Sequence, residues 1–412
     1  MRYNTQMNIA IIGGGITGLT AAYRILQQGH TVTIFERESY LGGLAYGFKE
    51  KNWNWHLEGA YHHMFTNDDA IISLAREIGI GEKLITKRPI TANFWQEAFH
   101  QFDSPTHLMK FEGLSLSDKI RTGALVAFCK LYPFWKTLEG VTAEDFFIRY
   151  GGKNAWTVIW EPLMTGKFGH LDSTIAASWL WARINKRTPS LVYIEGGFQT
   201  LIHALELAIV KNGGKIHTNT RVLKIPKRFD KTLLTTPTPI ANAIVPGVAS
   251  KNELSIPHLH AQVLILETKK PLLDHVYWLS ILDRTFPFLA IVAHTNFMDR
   301  SHYGNNHITY VGNYLPDGHR YLNMTKKQLL KEFMPYIKKI NPSFQPSAIR
   351  SHLFTAPYAQ PVHQINYSTK APTIKTSISN VYLANMDSIF PWDRGTNYAV
   401  ELGNRAAMEI LL

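Results

Sequence analysis

The start of the chain combines short apolar runs with one helical pattern. Residues 7–12 form an apolar, isoleucine-rich run, which is typical of a strand buried on both faces of a parallel sheet. Residues 19–28 place apolar side chains at helical spacing, and Gly29 marks the end of that helix. A second, β-branched run covers residues 31–35. This succession predicts a strand–helix–strand unit.

The rest of the chain changes from helical to strand-like patterns. Residues 104–190 show mainly helical spacing, and Thr142 with the acids after it is typical of a helix N-terminus. Residues 258–315 instead contain short apolar and β-branched runs, which predict strands of a second sheet. Thr325 is expected to begin a further helix that ends near Asn341. The sequence therefore predicts a globular protein of mixed helices and strands.

Length and composition favour more than one domain. At 412 residues the chain exceeds the size that a single hydrophobic core usually serves. Hydrophobic residues make up 45% and charged residues 18%, a balance that argues against disorder. The single cysteine, Cys129, excludes an intrachain disulfide and favours a reducing, cytoplasmic setting. The first residues lack the pattern of a signal peptide, and no run of about 18 apolar residues predicts a membrane-spanning helix.

The net charge of +12 calls for an anionic partner or a well-solvated basic surface. The basic residues are scattered, and no known nucleic-acid-binding motif accompanies them, so nucleic acid is not an expected partner. An anionic membrane surface or an anionic substrate is the favoured explanation. A merely solvated basic surface is the alternative.

One segment suits contact with an anionic membrane. The apolar residues 125–128 and 131–135 are bracketed by cations, a pattern found in helices that lie on membrane surfaces. The same pattern fits a helix packed on its own domain with solvated lysines. A location at the membrane periphery and a purely cytoplasmic one therefore both stay open. The bracketing cations are Lys119, Arg121, Lys130 and Lys136.

A glycine motif after the first strand predicts a dinucleotide site. The first glycine of the motif permits a tight turn, the second lets the backbone approach a pyrophosphate, and the third lets helix and strand pack closely. The helix N-terminus offers free N–H groups and a positive dipole end to the phosphates. An acid at the end of the second strand suits ribose hydroxyls. The residues predicted to bind the cofactor here are Gly13, Gly15, Ile16, Thr17, Gly18 and Glu36.

Several stretches of the chain resemble one superfamily of flavoenzymes. Glu36-Arg37 followed by Leu41-Gly42-Gly43-Leu44-Ala45 resembles the second glycine pair of the protoporphyrinogen oxidase, amine oxidase and phytoene desaturase superfamily. Residues 193–198, 213–225 and 381–403 resemble further stretches of that superfamily, in the expected order, and the second stretch implies a pair of strands that ends with residues 222–225. The resemblance implies FAD as the cofactor. Non-covalent binding is expected, because no cysteine or histidine lies in a recognised linkage context.

The resemblance also implies the fold and its division into domains. The expected fold is α/β, with a Rossmann-like FAD-binding domain interleaved with an α+β substrate domain. Residues 1–80, 191–255 and 370–412 are assigned to the FAD-binding domain, and residues 81–190 and 256–369 to the substrate domain. The change from helical to strand-like patterns between the two substrate segments agrees with this division.

By position, the resemblance adds cofactor contacts along the whole chain. The helix near residue 397 is expected to point its positive end at the flavin. Many relatives place an acid after the last strand, where it bonds the ribityl chain, but Met386 occupies the matched position. Asn385, Asp387 or backbone groups are the alternatives for that role. The other implied cofactor contacts are Arg37, Gly42, Gly43, Leu44, Val222, Gly395, Asn397 and Tyr398.

Two adjacent histidines are the leading candidates for catalysis. His62 and His63 follow the second glycine pair, where the resemblance places residues near the flavin ring. A neutral imidazole can orient a substrate group or move a proton. No metal site is expected, since adjacent side chains on an extended chain point in opposite directions and no further ligands accompany them. The alternative is a pair of histidines hydrogen-bonded within a domain interface.

Three basic residues are further candidates for the substrate site. Residues 161–169 are predicted to form a turn between helices, and they include Lys167. Lys167 and Arg183 are candidates for holding an anionic substrate group, with surface salt bridges as the alternative. Arg394 and Trp392 precede the last helix and are expected to border the pocket.

The leading hypothesis is a flavin-dependent oxidoreductase that removes a hydride from a bulky, partly apolar small molecule. The sequence leaves the electron acceptor open. A second hypothesis is a flavin-dependent isomerase of a nucleotide sugar, because residues 42–46 and 62–68 are similar to stretches of UDP-galactopyranose mutase. A third is a non-enzymatic FAD-binding protein, against which the complete set of flavin-binding motifs argues.

Overall fold

The computed structural model describes residues 6–345 and 350–412. Residues 1–5, which belong to the segment predicted not to be a signal peptide, lie outside this range. The strands are β1 (Asn8–Ile12), β2 (Thr31–Phe35), β3 (Gly47–Phe48), β4 (Leu57–Glu58), β5 (Met64–Phe65), β6 (Leu84–Lys87), β7 (Ile90–Trp95), β8 (Ala98–His100), β9 (Leu191–Ile194), β10 (Lys215–His217), β11 (Lys231–Leu234), β12 (His258–Thr268), β13 (Val276–Ile281), β14 (Ala290–Ala293), β15 (His307–Leu315), β16 (Arg350–Pro361) and β17 (Val381–Leu383).

Helices of very different lengths connect these strands. In the described part of the chain, none of them has the length and apolar character needed to cross a bilayer. A π-helical turn, Trp156–Trp160, joins α6 to α7. The helices are α1 (Ile16–Gln27), α2 (Asp69–Glu77), α3 (Pro105–Lys110), α4 (Leu116–Leu131), α5 (Ala143–Gly151), α6 (Lys153–Ala155), α7 (Glu161–Phe168), α8 (Ala177–Lys186), α9 (Gln199–Lys211), α10 (Thr238–Ile244), α11 (Lys251–Leu254), α12 (Lys326–Ile340) and α13 (Thr396–Leu411).

One of the two large sheets is parallel and has five strands, in the order β10-β2-β1-β11-β17. Side chains of β1 alternate between its two faces. Ile9 and Ile11 share a core with α1, α9 and α13, whereas Ile12 shares one with α10. Helices therefore cover both faces, which explains the unbroken apolar run of β1. The predicted Rossmann-like α/β fold is confirmed.

The other large sheet has seven strands, in the order β16-β12-β15-β14-β13-β7-β8. β7 and β13 are parallel, and the other neighbours are antiparallel. Along β12, Val263 and Ile265 join the core of the parallel sheet, whereas Leu264 and Leu266 pack in the core that contains α12. The strand-like patterns of residues 258–315 are thus confirmed.

The two sheets are built from interleaved segments. The parallel sheet takes its strands from residues 8–35, 215–234 and 381–383, all within the segments predicted to form the FAD-binding domain. β7 and β8 come from the first predicted substrate segment, and they lie in one sheet with β12, β13, β14, β15 and β16 from the second. This arrangement agrees with the predicted division, and the domain boundaries stay a prediction.

Two helix starts that the sequence predicts are confirmed. The Thr142 hydroxyl accepts a hydrogen bond from the Asp145 N–H at 3.0 Å, and α5 begins at the next residue. The Thr325 hydroxyl accepts from the Gln328 N–H, while the Gln328 side chain accepts from the Thr325 N–H at 2.9 Å. Such bonds satisfy N–H groups that a helix leaves unpaired. Residues 104–190 are mainly helical, as predicted.

The turn predicted for residues 161–169 is wrong, because residues 161–168 form the helix α7. The proline and glycines of this segment suggested a break in the chain. Pro162, however, lies at the start of α7, directly after the π-helical turn that carries the helical backbone on from α6. The helix ends at Gly169, whose φ of +57° suits glycine.

Two element boundaries also differ from expectation. α1 begins at Ile16 and not at Leu19, because the glycine turn leads directly into the helix. Residues 222–225, expected to form a strand, lie in bends, and the next strand of the parallel sheet is β11. Val222 and Ile225 nevertheless pack on the α10 side of that sheet, which accounts for their apolar character.

Gly403 of α13 sets the distance between α13 and α1. A Cβ at this position would lie 2.7 Å from the Thr17 carbonyl oxygen and 2.7 Å from the Thr20 Cβ. We expect Gly403→Ala to lower the free energy of unfolding by about 1–3 kcal/mol, since overpacking forces the two helices apart. Urea denaturation measures this change.

Gly123→Ala is the matched control. Gly123 lies inside α4, and a Cβ there meets only the Leu108 Cδ2, at 4.0 Å. Replacing a helical glycine should stabilise this variant by up to about 1 kcal/mol. Similar stabilisation of both variants would contradict the close packing of α1 against α13.

Candidate active site

β1 ends in a glycine turn that has no room for side chains. Gly13 has a φ of +115°, and a Cβ there would lie 2.4 Å from the Thr235 Oγ1. The Thr235 hydroxyl donates a hydrogen bond to the Gly13 carbonyl oxygen at 3.0 Å. A Cβ on Gly18 would lie 2.2 Å from that same carbonyl oxygen. The turn therefore packs backbone against backbone, which allows α1 to follow the strand at once.

Gly15 leaves an open space at the N-terminus of α1. No described heavy atom other than its chain neighbours lies within 4 Å of the position that a Gly15 Cβ would take. Its φ of −73° would suit any residue. Ile16 and Thr17 begin the helix, whose first N–H groups have no partner within it. An anionic phosphate fits such a helix end.

The second glycine pair meets the first at this open space. The Gly42 N–H donates to the Gly14 carbonyl oxygen at 2.8 Å, and Gly15 and Gly42 form a parallel bridge. A Cβ on Gly43 would lie 3.3 Å from the Gly15 Cα. Leu44, the next residue, is exposed. The two glycine segments together form one backbone-lined space, called here the glycine cradle.

Glu36 lies beside the glycine cradle at the end of β2. Its Oε2 accepts a hydrogen bond from the Gly14 N–H at 2.7 Å, and its Oε1 accepts from the Glu38 N–H at 2.9 Å. Arg37 is exposed and pairs with Glu38 at 2.8 Å. Val222 is half-buried against the same sheet, on its α10 side. The carboxylate of Glu36 is thus held by one backbone N–H of the glycine turn and one that follows β2.

The side chains proposed to bond a ribityl chain are occupied within the protein. The buried Asp387 carboxylate accepts hydrogen bonds from the Thr238 hydroxyl and from the His258 Nε2, the latter at 2.7 Å. The Asn385 amide donates to the Thr236 carbonyl oxygen at 2.9 Å and to the Thr238 hydroxyl at 3.0 Å. Both side chains thus have partners within the protein, and the ribityl contact of Asn385, Asp387 or backbone groups stays a prediction.

Asn397 also has a structural task. Its Oδ1 accepts from the N–H groups of Ala70 and Ile71, at 3.0 and 3.2 Å, and so holds the start of α2. The Tyr398 ring stacks on Trp392, with ring centroids 5.7 Å apart. The Tyr398 hydroxyl is buried and has no hydrogen-bond partner among the described residues. Asn397 therefore has partners within the protein, and Tyr398 and Trp392 form a stacked aromatic pair.

Both candidate histidines are held in the neutral form. Burial lowers the pKa of His62 to about 4 and that of His63 to about 3. The His62 Nδ1 lies 2.7 Å from the Ala60 carbonyl oxygen, to which it donates, so its Nε2 is left as an acceptor. The His63 Nδ1 lies 3.1 Å from the Tyr277 hydroxyl. At neutral pH the two imidazoles therefore form hydrogen bonds as uncharged groups.

The structure brings Lys167 and Arg183 together on one carboxylate. Asp393 accepts hydrogen bonds from the Lys167 Nζ at 3.0 Å, from Arg183, from the Trp179 Nε1 at 3.2 Å and from the Gln360 Nε2 at 3.1 Å. Burial alone would raise the pKa of Asp393, but Lys167 and Arg183 hold it below its ordinary value. Burial lowers the pKa of Lys167 well below its usual range. Lys167 and Arg183 therefore form ion pairs with Asp393, which is mostly buried, and not with an acid on the surface.

Arg394 lies next to this cluster. Its Nε donates to the Gln360 Oε1 at 3.0 Å, and its guanidinium lies 5.0 Å from the centre of the Tyr314 ring. Burial lowers the pKa of Arg394 to about 10. The exposed Gly395 follows and precedes the first residue of α13. The loop before α13 therefore contacts residues of the predicted substrate segments, and it leads directly into the last helix.

Sequence reasoning missed a residue near the candidate histidines. Glu58 lies at the end of β4 and is fully buried. Nothing in its sequence context distinguishes it from an exposed acid.

Glu58 is a buried acid without a cationic partner among the described residues. Its carboxylate accepts from the Tyr193 hydroxyl at 2.8 Å and from the Phe198 N–H at 2.7 Å. Burial raises the pKa of Glu58 to about 7. Tyr193 and Phe198 lie on either side of the glycine pair at residues 196–197. By bonding to both, Glu58 holds residues 193–198 against the end of β4, four residues before His62.

Nearly the whole chain matches one protein family. Residues 16–411 match the family model described as flavin containing amine oxidoreductase. The chain therefore belongs to this family of flavin-dependent oxidoreductases. The resemblance inferred from the glycine segments is confirmed.

Individual relatives agree with this assignment. A zeta-carotene desaturase, chloroplastic/chromoplastic, from Capsicum annuum is 33% identical over 82 residues, which are 20% of this chain and 14% of that protein. The match thus spans about a seventh of that curated relative's length. A candidate protoporphyrinogen oxidase from Exiguobacterium sp. 255-15 has a TM-score of 0.77 at 16% identity, covering 99% of both chains.

A reduced UDP-galactopyranose mutase has a similar structural likeness. Its TM-score is 0.76 at 14% identity, covering 98% of this chain and 96% of that one. At such identities the two structural likenesses show a shared fold alone. The isomerase alternative therefore stays a prediction.

Glu58 generates a pH-dependent prediction. The folded protein binds the Glu58 proton more tightly than the unfolded chain, because burial raises the pKa from 4.5 to about 7. The stability that this group contributes is complete below pH 4.5 and is lost as the pH rises towards 7. Glu58→Gln cannot ionise, so it should gain about 3 kcal/mol relative to the native protein across this window. Urea denaturation at several pH values measures the difference, and a difference that is constant with pH would rule out a protonated Glu58.

Proposed function

We propose that this chain is an FAD-dependent oxidoreductase that holds FAD non-covalently and removes a hydride from a bulky, partly apolar small molecule. The observation that carries the proposal is the glycine cradle at the N-terminus of α1. Its open space at Gly15 suits the diphosphate of FAD, and Glu36 beside it suits the ribose hydroxyls. The residues present therefore fit the cofactor that the family implies.

Bound FAD would supply the group that accepts the hydride. The chain's own residues hold and orient the substrate. His62 and His63 are neutral, so they act by hydrogen bonding, and the His62 Nε2 can accept a hydrogen bond from a substrate hydroxyl or amine.

Aromatic side chains near the histidines support a partly apolar substrate. The Tyr61 and Trp278 rings lie 4.9 Å apart, and the His63 ring lies 5.9 Å from Trp278. The Capsicum relative acts, by its name, on zeta-carotene, an apolar compound. Anaerobic bleaching of the flavin by amines, tetrapyrrole precursors or unsaturated lipids tests the hydride step, and a flavin that none of them reduces counts against it.

The cysteine chemistry supports non-covalent binding and a reducing, cytoplasmic compartment. Cys129 is the single cysteine of the chain and is fully buried in α4. Burial raises the pKa of its thiol to about 12, so it is not a reactive nucleophile. It shares a core with α5 and α8, which have no part in the glycine cradle.

Gly15→Val tests the cofactor site with little disturbance of the fold. The position tolerates a side chain in space and backbone angle, but that side chain would fill the glycine cradle. We expect a folded variant that purifies without FAD and takes up none when it is added. Flavin absorption, and release of the chromophore on denaturation, measure this.

The native protein and Gly123→Ala serve as the reference and the control. Both should carry FAD, and acid or urea should release it into solution. Retention of FAD by Gly15→Val, or a native protein that binds no FAD, would contradict the proposal. Flavin that stays attached to the denatured chain would contradict non-covalent binding.

We further propose that α4 rests on an anionic membrane surface. Leu125 and Cys129 on one face of α4 are buried, whereas the opposite face carries exposed apolar side chains. This apolar stripe comprises Leu116 and Ile120, each 61% exposed, Leu131, 83% exposed, and Phe134 just beyond the helix, 66% exposed. Packing on its own domain accounts for the first face but not for the second.

Cations around the apolar stripe favour an anionic membrane as its partner. Arg121, Lys130 and Lys136 are exposed beside it. Their charge attracts anionic lipid headgroups, while leucine and phenylalanine side chains enter the apolar layer. The net charge of +12 acts in the same direction.

Liposome flotation tests the apolar stripe. We expect binding to vesicles that contain phosphatidylglycerol at low salt, and weaker binding at high salt or to phosphatidylcholine alone. Leu131→Ser with Phe134→Ser should reduce binding by about tenfold or more, since two large side chains lose their apolar environment. Leu207→Ser, at a position 71% exposed on α9, is the control and should bind like the native protein. Absence of binding at low salt would end this proposal.

A further inference from the structure

An irregularity in β13 turns two neighbouring aromatic rings to the same side of the sheet. In a regular strand, consecutive side chains point to opposite faces. Val276 of β13 pairs with Ile90 of β7, and the next residue of β7 pairs with Trp278. Tyr277 is therefore an extra residue in β13. Such a bulge changes the direction of the side chains beside it, and bulges are frequent next to active sites.

The bulge places Tyr277 and Trp278 in the same core. Val276 and Leu279 pack in the core that contains α12. Tyr277 and Trp278, which lie between them, both pack in the core of the parallel sheet. Their rings consequently lie 6.0 and 5.9 Å from the His63 ring, measured between centroids. Without the extra residue, one of these two side chains would face away from His63.

The Tyr277 hydroxyl donates a hydrogen bond to His63. Tyr277 is 1% exposed, and its hydroxyl lies 3.1 Å from the His63 Nδ1. Within residues 6–345 and 350–412, no other group is placed to accept the hydrogen of this hydroxyl. Burial raises the pKa of Tyr277, so the hydroxyl keeps that hydrogen. A buried donor without an acceptor is unfavourable, and the His63 Nδ1 is therefore the acceptor.

This direction of the hydrogen bond fixes the tautomer of His63. A neutral imidazole carries one hydrogen, so a ring that accepts at Nδ1 carries its hydrogen on Nε2. His62 has the opposite tautomer, because its Nδ1 donates to the Ala60 carbonyl oxygen. In the described part of the chain neither Nε2 has a partner, and both histidines keep some exposed surface. The two rings thus offer a ligand one acceptor and one donor.

We propose that Tyr277 is a positioning residue that holds the His63 hydrogen on Nε2, so that His63 donates a hydrogen bond to a bound ligand while His62 accepts one. The proposal rests on the function proposed above and deepens it by dividing the roles of the two histidines. The group opposite His63 is then an acceptor, such as a carbonyl or carboxylate oxygen of the flavin or of the substrate.

Nuclear magnetic resonance of isotope-labelled histidine reads the tautomers directly. In FAD-loaded protein we expect hydrogen on the His62 Nδ1 and on the His63 Nε2, and His63→Gln identifies the His63 signals. In Tyr277→Phe the ratio of the Nε2–H to the Nδ1–H form of His63 should fall about tenfold, the effect of one lost hydrogen bond. The His63 Nδ1 resonance should move towards that of a free acceptor nitrogen.

Tyr303→Phe is the matched control. The Tyr303 hydroxyl lies 2.7 Å from the His294 Nε2, and Tyr303 is fully buried, so this variant removes a hydrogen bond of the same kind from another histidine. The signals of His63 should stay unchanged in it. Urea denaturation of both variants verifies that they are folded.

A comparison with Gly15→Val, which is expected to lack FAD, identifies the source of the acceptor. A His63 Nε2 signal that differs between the FAD-loaded native protein and this variant assigns the acceptor to the flavin. The same signal in both assigns the acceptor to the substrate.

The native spectrum alone is sufficient to overturn the proposal, because hydrogen on the His63 Nδ1 would mean that Tyr277 accepts the bond. An unchanged tautomer ratio and Nδ1 resonance in folded Tyr277→Phe would overturn it as well. Native protein that takes up no FAD contradicts the proposed function instead, and the tautomer of His63 is still measurable in that protein.

Discussion

The structure depends on backbone approaching backbone where β1 turns into α1. The Gly18 Cα lies so near the Gly13 carbonyl that a Cβ could not fit between them. On its other side α1 is met at similarly close range by Gly403 of α13. One helix is therefore fixed from two directions by contacts that only glycine permits, and the glycine cradle takes its shape from this constraint.

The same rigidity extends to the substrate side through a single short loop. Asp393 collects donors from α7, α8 and β16, and Arg394 returns a hydrogen bond to Gln360 of β16. Two residues later the chain enters α13. A displacement of Arg183 or Arg394 would therefore be transmitted through this loop to α13, which packs on α1. The geometry of the two sites is connected by covalent chain as well as by packing.

Elements whose causes are local could be predicted from the sequence. The strand–helix–strand unit, the Thr142 and Thr325 caps and the strands of the second sheet all depend on neighbouring residues. The helix at residues 161–168 was misjudged, because a proline suits a first helical turn as well as a loop. Family resemblance supplied the cofactor class, which local patterns alone could not distinguish from other dinucleotides.

Side-chain partners depend on distant residues and were less predictable. Asp387 is bonded to a histidine 129 residues away, and Asn397 holds an N–H group 327 residues away. A sequence shows that such groups are polar but not that they are already satisfied.

The interleaved order of the parallel sheet has a consequence for synthesis of the protein. β17 and α13 are synthesised more than 340 residues after β1, since β1 ends at Ile12 and β17 begins at Val381, yet they complete the sheet begun by β1 and cover the helix that follows it. Until then a nascent chain exposes apolar surface and an unpaired edge of β11. Its folding is therefore governed by contacts of very high sequence separation, which form slowly. Such a chain should depend on chaperones to a greater degree than a protein whose domains are contiguous in sequence.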